Sequence, residues 1–275
     1  MGTIHPVKVN IRALTTRFAG SNKEFTPIRK IILFSIALFS ALLIADNATL
    51  KAQPADIIEV GKFSTAKPDS NFPDAWKPLT FKNIKQHTRY ILMADNGISV
   101  VKASSDRSAS GLIRKIEIDP KEYPMIMWRW KATSIYEKGD VTKKEGDDYP
   151  ARIYITFKYE PDKLGFFEKL KYETAKVFYG EYPPLAAINY IWASKAQQET
   201  VVPNPYTGRA MMIVVESGLK NLNLWVQEKR NVFEDYKKAF GEDPPPISGI
   251  AIMTDSDNTR ESTVSYFGDI VFSKH

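Results

Sequence analysis

From residue 57 onward, the chain consists mainly of short runs of alternating apolar and polar residues, each bounded by Pro, Gly, Asp or Asn. Alternation with a period of two places successive side chains on opposite faces of a strand. The clearest case is Thr88–Ala103, where Asp95-Asn96-Gly97 separates two apolar runs and supplies the positive φ angles of a tight hairpin turn. Many short strands without regular intervening helices predict a mainly β fold, an antiparallel β-sandwich or jelly roll.

Seven further segments have the β-branched or aromatic content of strands. They are Leu112–Ile118, Met125–Lys131, Arg152–Tyr159, Ala187–Ala193, Arg209–Glu216, Ile250–Thr254 and Thr263–Phe272. Two helical insertions interrupt them. Leu164–Phe178 has one apolar and one basic face, and Asn231 with Glu234 resembles a capping box for a helix that ends at Gly241. We expect both helices to lie across a sheet within one β-sandwich domain, residues 53–275.

Residues 1–52 form a separate leader segment, in which the basic pair Arg29-Lys30 precedes fifteen uncharged residues, Ile31–Ala45. At about 1.5 Å per residue a helix of that length spans roughly 22 Å, short of a ~30 Å hydrocarbon core. This order is typical of an export signal around residues 29–52, with Ala48 or Ala52 at a cleavage point. We therefore predict an N-terminal hydrophobic signal helix and a periplasmic or secreted protein. The alternative is an uncleaved membrane anchor at residues 31–45, and in either case only the N-terminal segment meets a membrane.

The composition excludes several classes of partner. The leader holds seven of the 38 basic residues and two of the 32 acidic ones, so the rest of the chain has 31 basic and 30 acidic residues. A nearly neutral body lacks the field that neutralises phosphates, and we expect no nucleic-acid partner. With no Cys and only His87 and His275 after the leader, neither a zinc or copper site nor a His-dependent nucleophile is expected.

Candidate ligand-binding side chains lie on two consecutive predicted strands. Period two places Trp128 and Trp130 on one face, which we interpret as core, and Arg129 on the other. The next strand places Arg152 and Tyr154 on one face. If the two polar faces belong to one sheet, these groups would bind an anionic or hydroxyl-rich ligand.

Two acidic loops add oxygen ligands. The loop Gly139–Asp148 is interpreted either as a calcium or sugar-hydroxyl site or as a solvated turn neutralised by its lysines. In the second loop Asp255 and Asp257 suit a hard cation such as calcium, and a hydrogen-bonded turn is the alternative. We therefore predict five ligand-binding residues, Arg129, Asp148, Arg152, Tyr154 and Asn189. Four of them, Arg129, Asp148, Arg152 and Asn189, are expected to converge with Asp255 in one concavity.

Several longer motifs resemble a known family. They are Tyr123–Trp130, Gly146–Arg152, Ala187–Ala193, Asn204–Arg209, Glu234–Gly241, Thr254–Thr259 and Tyr266–Ile270. Over most of residues 57–272 the chain is similar to the exported bacterial proteins of domain-of-unknown-function family 3047. The resemblance implies no established activity, and it implies a glycine where this chain has Arg260. The last strand also resembles that of jelly-roll carbohydrate-binding modules, a likeness of fold.

Three functions fit these observations, and we favour the first. It is non-catalytic binding of a polar ligand, such as a glycan or cell-envelope polymer, with calcium as the one cofactor considered. The second is an envelope scaffold that binds another protein through an apolar patch on Leu164–Phe178. The third is a carboxylate-dependent glycan hydrolase or lyase, with Asp148 and Asp255 as acid and base, or with Tyr149 or Tyr154 beside Arg152 as the proton acceptor.

Overall fold

The computed structural model describes residues 56–73, 75–160 and 184–275, all within one compact unit, Ala55–His275. The predicted leader and the predicted helix at Leu164–Phe178 lie outside the described residues. Within the described ranges, no helix combines the length and the apolar character needed to cross a membrane.

Strands dominate the regular structure of the described ranges. They are β1 (Ile57–Gly61), β2 (Trp76–Leu79), β3 (Arg89–Asp95), β4 (Ile98–Asp106), β5 (Ala109–Ile118), β6 (Met125–Ala132), β7 (Arg152–Phe157), β8 (Ala187–Ala193), β9 (Val201–Asn204), β10 (Thr207–Ser217), β11 (Val226–Asn231), β12 (Ile247–Asp255) and β13 (Ser262–Ser273). Within these ranges the structure also has one α-helix, α1 (Val232–Phe240), and two short 3₁₀ turns, Phe63–Thr65 and Lys144–Gly146.

The strands form two sheets, as a sandwich requires. The first sheet has the order β11-β6-β13-β4-β3, and β1 pairs with the end of β13, beyond the segment that pairs with β4. The second has the order β2-β5-β12-β7-β8-β10-β9. The mainly β sandwich is therefore confirmed.

One pair departs from the all-antiparallel expectation. β8 and β10 run parallel, with Asn189 opposite Met212 in the register. Parallel neighbours need a crossover connection, and here β9 provides the return by pairing antiparallel with β10. The second sheet is thus mixed.

The core between the sheets is rich in aromatic rings. Trp128 stacks on Tyr190 with 5.2 Å between ring centroids, and Trp130 lies 6.1 Å from Trp192. All four rings are buried, which confirms that Trp128 and Trp130 face the core. Burying several rings of this size supplies a large share of the hydrophobic driving force.

The second sheet is covered on its other face as well. A smaller apolar cluster lies there, formed by Val141, Tyr149, Ile191, Ala193, Met212 and Val214. Val141 and Tyr149 come from the segment between β6 and β7, which crosses this face. This explains why β8 is buried along almost its whole length, and it creates a buried environment for polar residues on the same face.

Helix α1 confirms the predicted capping signals. The side chain of Asn231 accepts a hydrogen bond from the Glu234 N–H at 3.1 Å, and Gly241 ends the helix with a left-handed φ of 78°. Its Tyr236 packs on Phe157 with 4.5 Å between ring centroids. This second predicted helix therefore lies against the core as expected.

Candidate functional site

The polar residues of β7 and β8 lie on the outer face of the second sheet. Ile153 and Ile155 point into the main core, so period two turns Arg152 and Tyr154 to the opposite face. Tyr154 pairs in register with Asn189 of β8. We call Arg152, Tyr154 and Asn189 the polar layer.

Two members of the polar layer are buried and carry polar atoms without hydrogen-bond partners in the described part of the chain. Arg152 is 3% exposed and Asn189 0% exposed, whereas Tyr154 is half-buried. Within the described part of the chain, Arg152 Nε and Nη1 and both polar atoms of the Asn189 amide make no hydrogen bond. Most buried polar atoms in proteins are paired, and an unpaired one costs about 1–3 kcal/mol. These four atoms therefore mark a place where a binding partner would be favourable.

The third nitrogen of the guanidinium is held by the protein. Arg152 Nη2 pairs with Asp255 Oδ2, and the guanidinium lies 4.9 Å from the Tyr149 ring centroid and 5.3 Å from that of Tyr154. The ion pair with Asp255 and the two aromatic rings beside the guanidinium together fix the orientation of Arg152. Nε and Nη1 are consequently presented in a defined direction.

A group of acidic side chains adjoins the polar layer. Asp148, Asp255 and Asp257, here called the carboxylate cluster, each offer an oxygen within 4.8 Å of the other two. Asp148 and Asp255 are each 1% exposed and Asp257 is half-buried. Asp148 Oδ2 accepts a hydrogen bond from the Thr259 N–H at 2.5 Å.

The loop after β12 is fixed by hydrogen bonds on several sides. Tyr136 donates its hydroxyl to the Asp255 carbonyl at 2.5 Å, and the Ser256 hydroxyl lies 2.8 Å from that of Ser105. The Glu261 carboxylate accepts two backbone N–H groups, from Glu137 and Lys138, each at 3.0 Å. Loops held in this way keep the cluster's geometry before any ligand arrives.

Burial sets the protonation of the site. It raises the pKa of the Asp148 carboxyl, an effect that the Thr259 N–H partly offsets. Burial also raises the pKa of the Tyr154 phenol, and the nearby Arg152 charge opposes this. A phenol with a raised pKa is a poor proton acceptor at neutral pH.

The structure also bears on the hydrolase interpretation. Asp148 and Asp255 lie close together, but both carboxylates are buried, and the Asp255 oxygens are engaged by Arg152 and by the Tyr149 N–H at 3.2 Å. A glycoside hydrolase needs one carboxylate poised against the leaving oxygen and one facing the sugar ring.

Of the predicted residues, Arg129 lies elsewhere. It belongs to β6 in the first sheet, whereas Arg152 belongs to β7 in the second. The two strands therefore do not share a sheet, as a common site for Arg129 and Arg152 required. Its guanidinium stacks on Trp225 at 4.6 Å, in the room left by the absent side chain of Gly268. Sequence alone did not reveal this because the β6–β7 connection crosses from one sheet to the other.

The other predicted residues gather on one side of the second sheet. Arg152 contacts Asp255, Tyr154 pairs in register with Asn189, and Asp148 lies in the cluster with Asp255 and Asp257. Sequence reasoning missed Thr259, although it stands in the same acidic loop, because its hydrogen bond to Asp148 spans 111 residues.

Comparison with protein families gives one match. A family model described as "Protein of unknown function (DUF3047)" matches residues 74–271. No curated protein matches the chain.

Comparison with solved structures gives similar chains at low TM-scores. A mutant of the family 29 carbohydrate-binding module CBM29-2 has a TM-score of 0.33 and 9% identity, covering 80% of this chain and 93% of its own. The Emp47p carbohydrate recognition domain has a TM-score of 0.37 and 9% identity, covering 81% and 99%. The glycoside hydrolase domain of Endo-D from Streptococcus pneumoniae R6 has a TM-score of 0.32 and 9% identity, covering 73% of this chain but only 21% of that one. At these TM-scores the likenesses assign neither a ligand nor a site.

Proposed function

We propose that this chain, which belongs to the DUF3047 family, binds a hydroxyl-rich ligand of the saccharide class, such as a glycan or cell-envelope polymer, at the polar layer and does not transform it. The observation that carries the proposal is the set of four unpartnered polar atoms on two buried side chains, Arg152 and Asn189. Tyr154, which pairs in register with Asn189, is half-buried and is the most exposed member of the layer.

The chemistry of these atoms matches neighbouring hydroxyl groups. The Asn189 amide offers an N–H donor and an oxygen acceptor. Arg152 offers two N–H donors on a guanidinium that stays protonated. A sugar hydroxyl both donates and accepts, so adjacent hydroxyls satisfy a mixed set of this kind. A simple anion would engage the donors of Arg152 but leave the Asn189 carbonyl oxygen unpaired.

A screen of the full-length chain against envelope and plant glycans tests the proposal. We expect one glycan class to bind, with the affinity then measured by calorimetry. The substitution Asn189→Leu removes a donor and an acceptor and keeps the number of side-chain heavy atoms, so it should weaken binding at least about tenfold, or ~1.4 kcal/mol.

Asn71→Leu is the matched control, because Asn71 is exposed and remote in the chain from β7 and β8. It should leave the affinity unchanged. The absence of any binding at about millimolar glycan, or equal affinity for wild type and Asn189→Leu, would show that ordered water rather than a saccharide satisfies these atoms.

Export of the protein belongs to the same proposal. The basic-then-apolar order at Arg29–Ala45 supports it. Mass spectrometry of the native protein should find a mature chain that begins near residue 53 in the periplasmic or secreted fraction. An intact N-terminus in the membrane fraction would favour the anchor, and an intact chain in the cytosol would contradict both.

A further inference from the structure

We propose that the carboxylate cluster, together with the hydroxyl of Thr259, binds one hard divalent cation, for which calcium is the best fit. The site adjoins the polar layer but does not depend on saccharide binding, because its ligand atoms belong to residues other than Arg152 and Asn189.

The ligand atoms are close enough for one ion. The oxygens of Asp148, Asp255 and Asp257 lie within 4.8 Å of one another. Calcium binds oxygen at about 2.3–2.6 Å, so a single ion among them reaches all three. All the side-chain donors are oxygens, which hard cations prefer and which do not select zinc or copper.

Unused oxygen atoms point to the same place. Asp148 Oδ1 and Thr259 Oγ1 make no hydrogen bond within the described residues, although each residue is 1% exposed. Thr259 lies beside the Asp148 carboxyl, since its backbone N–H donates a hydrogen bond to Asp148 Oδ2. A threonine hydroxyl is not acidic, so its lack of a partner is an observation independent of the acidic cluster.

The local charge is unbalanced. Asp147, Asp148 and Asp255 are 6%, 1% and 1% exposed, and Asp257 adds a fourth carboxylate, while Arg152, which pairs with Asp255, is the one buried Lys or Arg in the described ranges. Lys138 approaches from the exposed side and donates to the Thr259 carbonyl at 3.3 Å. Burying excess negative charge is costly, and a divalent ion reduces that cost.

The site adjoins an open cleft. Thr259 lines this cleft of about 490 Å³ together with four basic residues and the acidic residues Asp140 and Glu145. Asp257 is half-buried in the same loop, so water molecules can complete the coordination from this side, as is usual for calcium.

Calorimetry and thermal unfolding of the full-length chain, first treated with chelator, test the proposal. We expect calcium chloride to release or absorb heat with one site per chain. At about a hundredfold excess over Kd, calcium should raise Tm by roughly 5–10 °C, whereas potassium chloride at equal ionic strength should not.

Asp257→Asn is the informative variant, because Asp257 makes no hydrogen bond or ion pair within the described ranges and its change leaves the ion pair of Arg152 intact. It should fold normally and bind calcium at least about tenfold more weakly. Asp243→Asn, at an exposed carboxylate that pairs with Lys121 and Lys237, is the control and should bind like wild type. No calcium effect up to about 10 mM, or calcium binding that Asp257→Asn does not change, would overturn the proposal.

Discussion

At the scale of single residues, the buried amide of Asn189 makes no hydrogen bond within the described residues that would offset the cost of its burial. Its amide is 0% exposed and both polar atoms are unpartnered. Residues kept for binding often lower stability, because the folded protein carries groups that only a ligand satisfies.

Asn189→Leu should therefore raise the free energy of unfolding of the ligand-free chain, since removing an unsatisfied buried amide gains about 1–3 kcal/mol, of which the larger leucine side chain offsets a part. Urea unfolding followed by tryptophan fluorescence measures this. The neighbouring change Ile191→Val, in the apolar cluster on the same face, is the control and should cost about 0.5–1.5 kcal/mol. A loss of stability in Asn189→Leu and also in the smaller variant Asn189→Ala would mean that the amide has structural partners.

Arg260 is a second residue with a local cost. It has a φ of 60°, a left-handed conformation that favours glycine. The family resemblance implied a glycine at this position, and the backbone supplies the physical reason.

Arg260→Gly should raise the free energy of unfolding by about 1 kcal/mol, because relief of the left-handed strain exceeds the entropy that glycine adds to the unfolded chain. Chemical denaturation checks the value. Arg89→Gly, at an exposed residue of the extended strand β3, should have the opposite sign. Equal losses in both variants would contradict the account.

Residue patterns predicted the faces of strands but not the partners across the fold. Period two was sufficient to place Arg152 and Tyr154 on one face of β7. It was also sufficient to place the two tryptophans of β6 on a face opposite to that of Arg129. The hydrogen bond between Thr259 and Asp148 and the ion pair between Arg152 and Asp255 join residues more than 100 positions apart. Such contacts leave no local signal in a single sequence.

At the scale of elements, three of the strands that sequence reasoning missed, β2, β9 and β11, are edge strands. β2 and β9 contain Pro78 and Pro203 and lie at the two edges of the second sheet. Proline lacks the N–H of an inner strand and is tolerated at edges, where the apolar pattern is also weakest. β11 is an edge strand of mostly polar residues, Val226–Asn231, which pairing with β6 makes extended.

The capping signal of α1 gives the element-scale prediction. Asn231→Ala removes the hydrogen bond to the Glu234 N–H and should lower the free energy of unfolding by about 1 kcal/mol. Asn231→Ser, which keeps a capping oxygen, should retain most of the stability. Thermal unfolding by circular dichroism compares the two. If they unfold at the same temperature, the cap does not stabilise this helix.

At the scale of the whole molecule, the sandwich was predictable because nearly every central strand has an alternating or apolar pattern. The division of strands between the sheets was not, since it depends on which way each connection crosses. This is why Arg129 and Arg152, on consecutive strands β6 and β7, lie in different sheets.

The stability of the sandwich should depend on pH through Glu228 of β11. Burial raises the pKa of this carboxyl from 4.5 to about 7; the nearby Glu216 acts in the same direction, while the hydrogen bond from Trp130 Nε1 and the charge of Arg230 oppose it. The folded state thus holds this proton more tightly than the unfolded state does. The free energy of unfolding should fall as pH rises from about 4.5 to about 7.

Urea unfolding at several pH values between 4 and 8 measures this, and Glu228→Gln should flatten the dependence because it cannot ionise. An exposed carboxylate in the same sheet, Asp106, provides the control Asp106→Asn, which should leave the slope as in wild type. A slope that persists in Glu228→Gln would assign the effect to other groups.

Nuclear magnetic resonance of the full-length chain tests the central claim most directly, because it observes the atoms on which the claim rests. During titration with the best-binding glycan of the screen, the Arg152 Nε–H and the Asn189 side-chain amide signals should shift together and saturate at one equivalent. The side-chain signals of the exposed residues Arg89 and Asn71 should stay in place. Saturation of binding with the signals of Arg152 and Asn189 unmoved would place the ligand elsewhere and contradict the account.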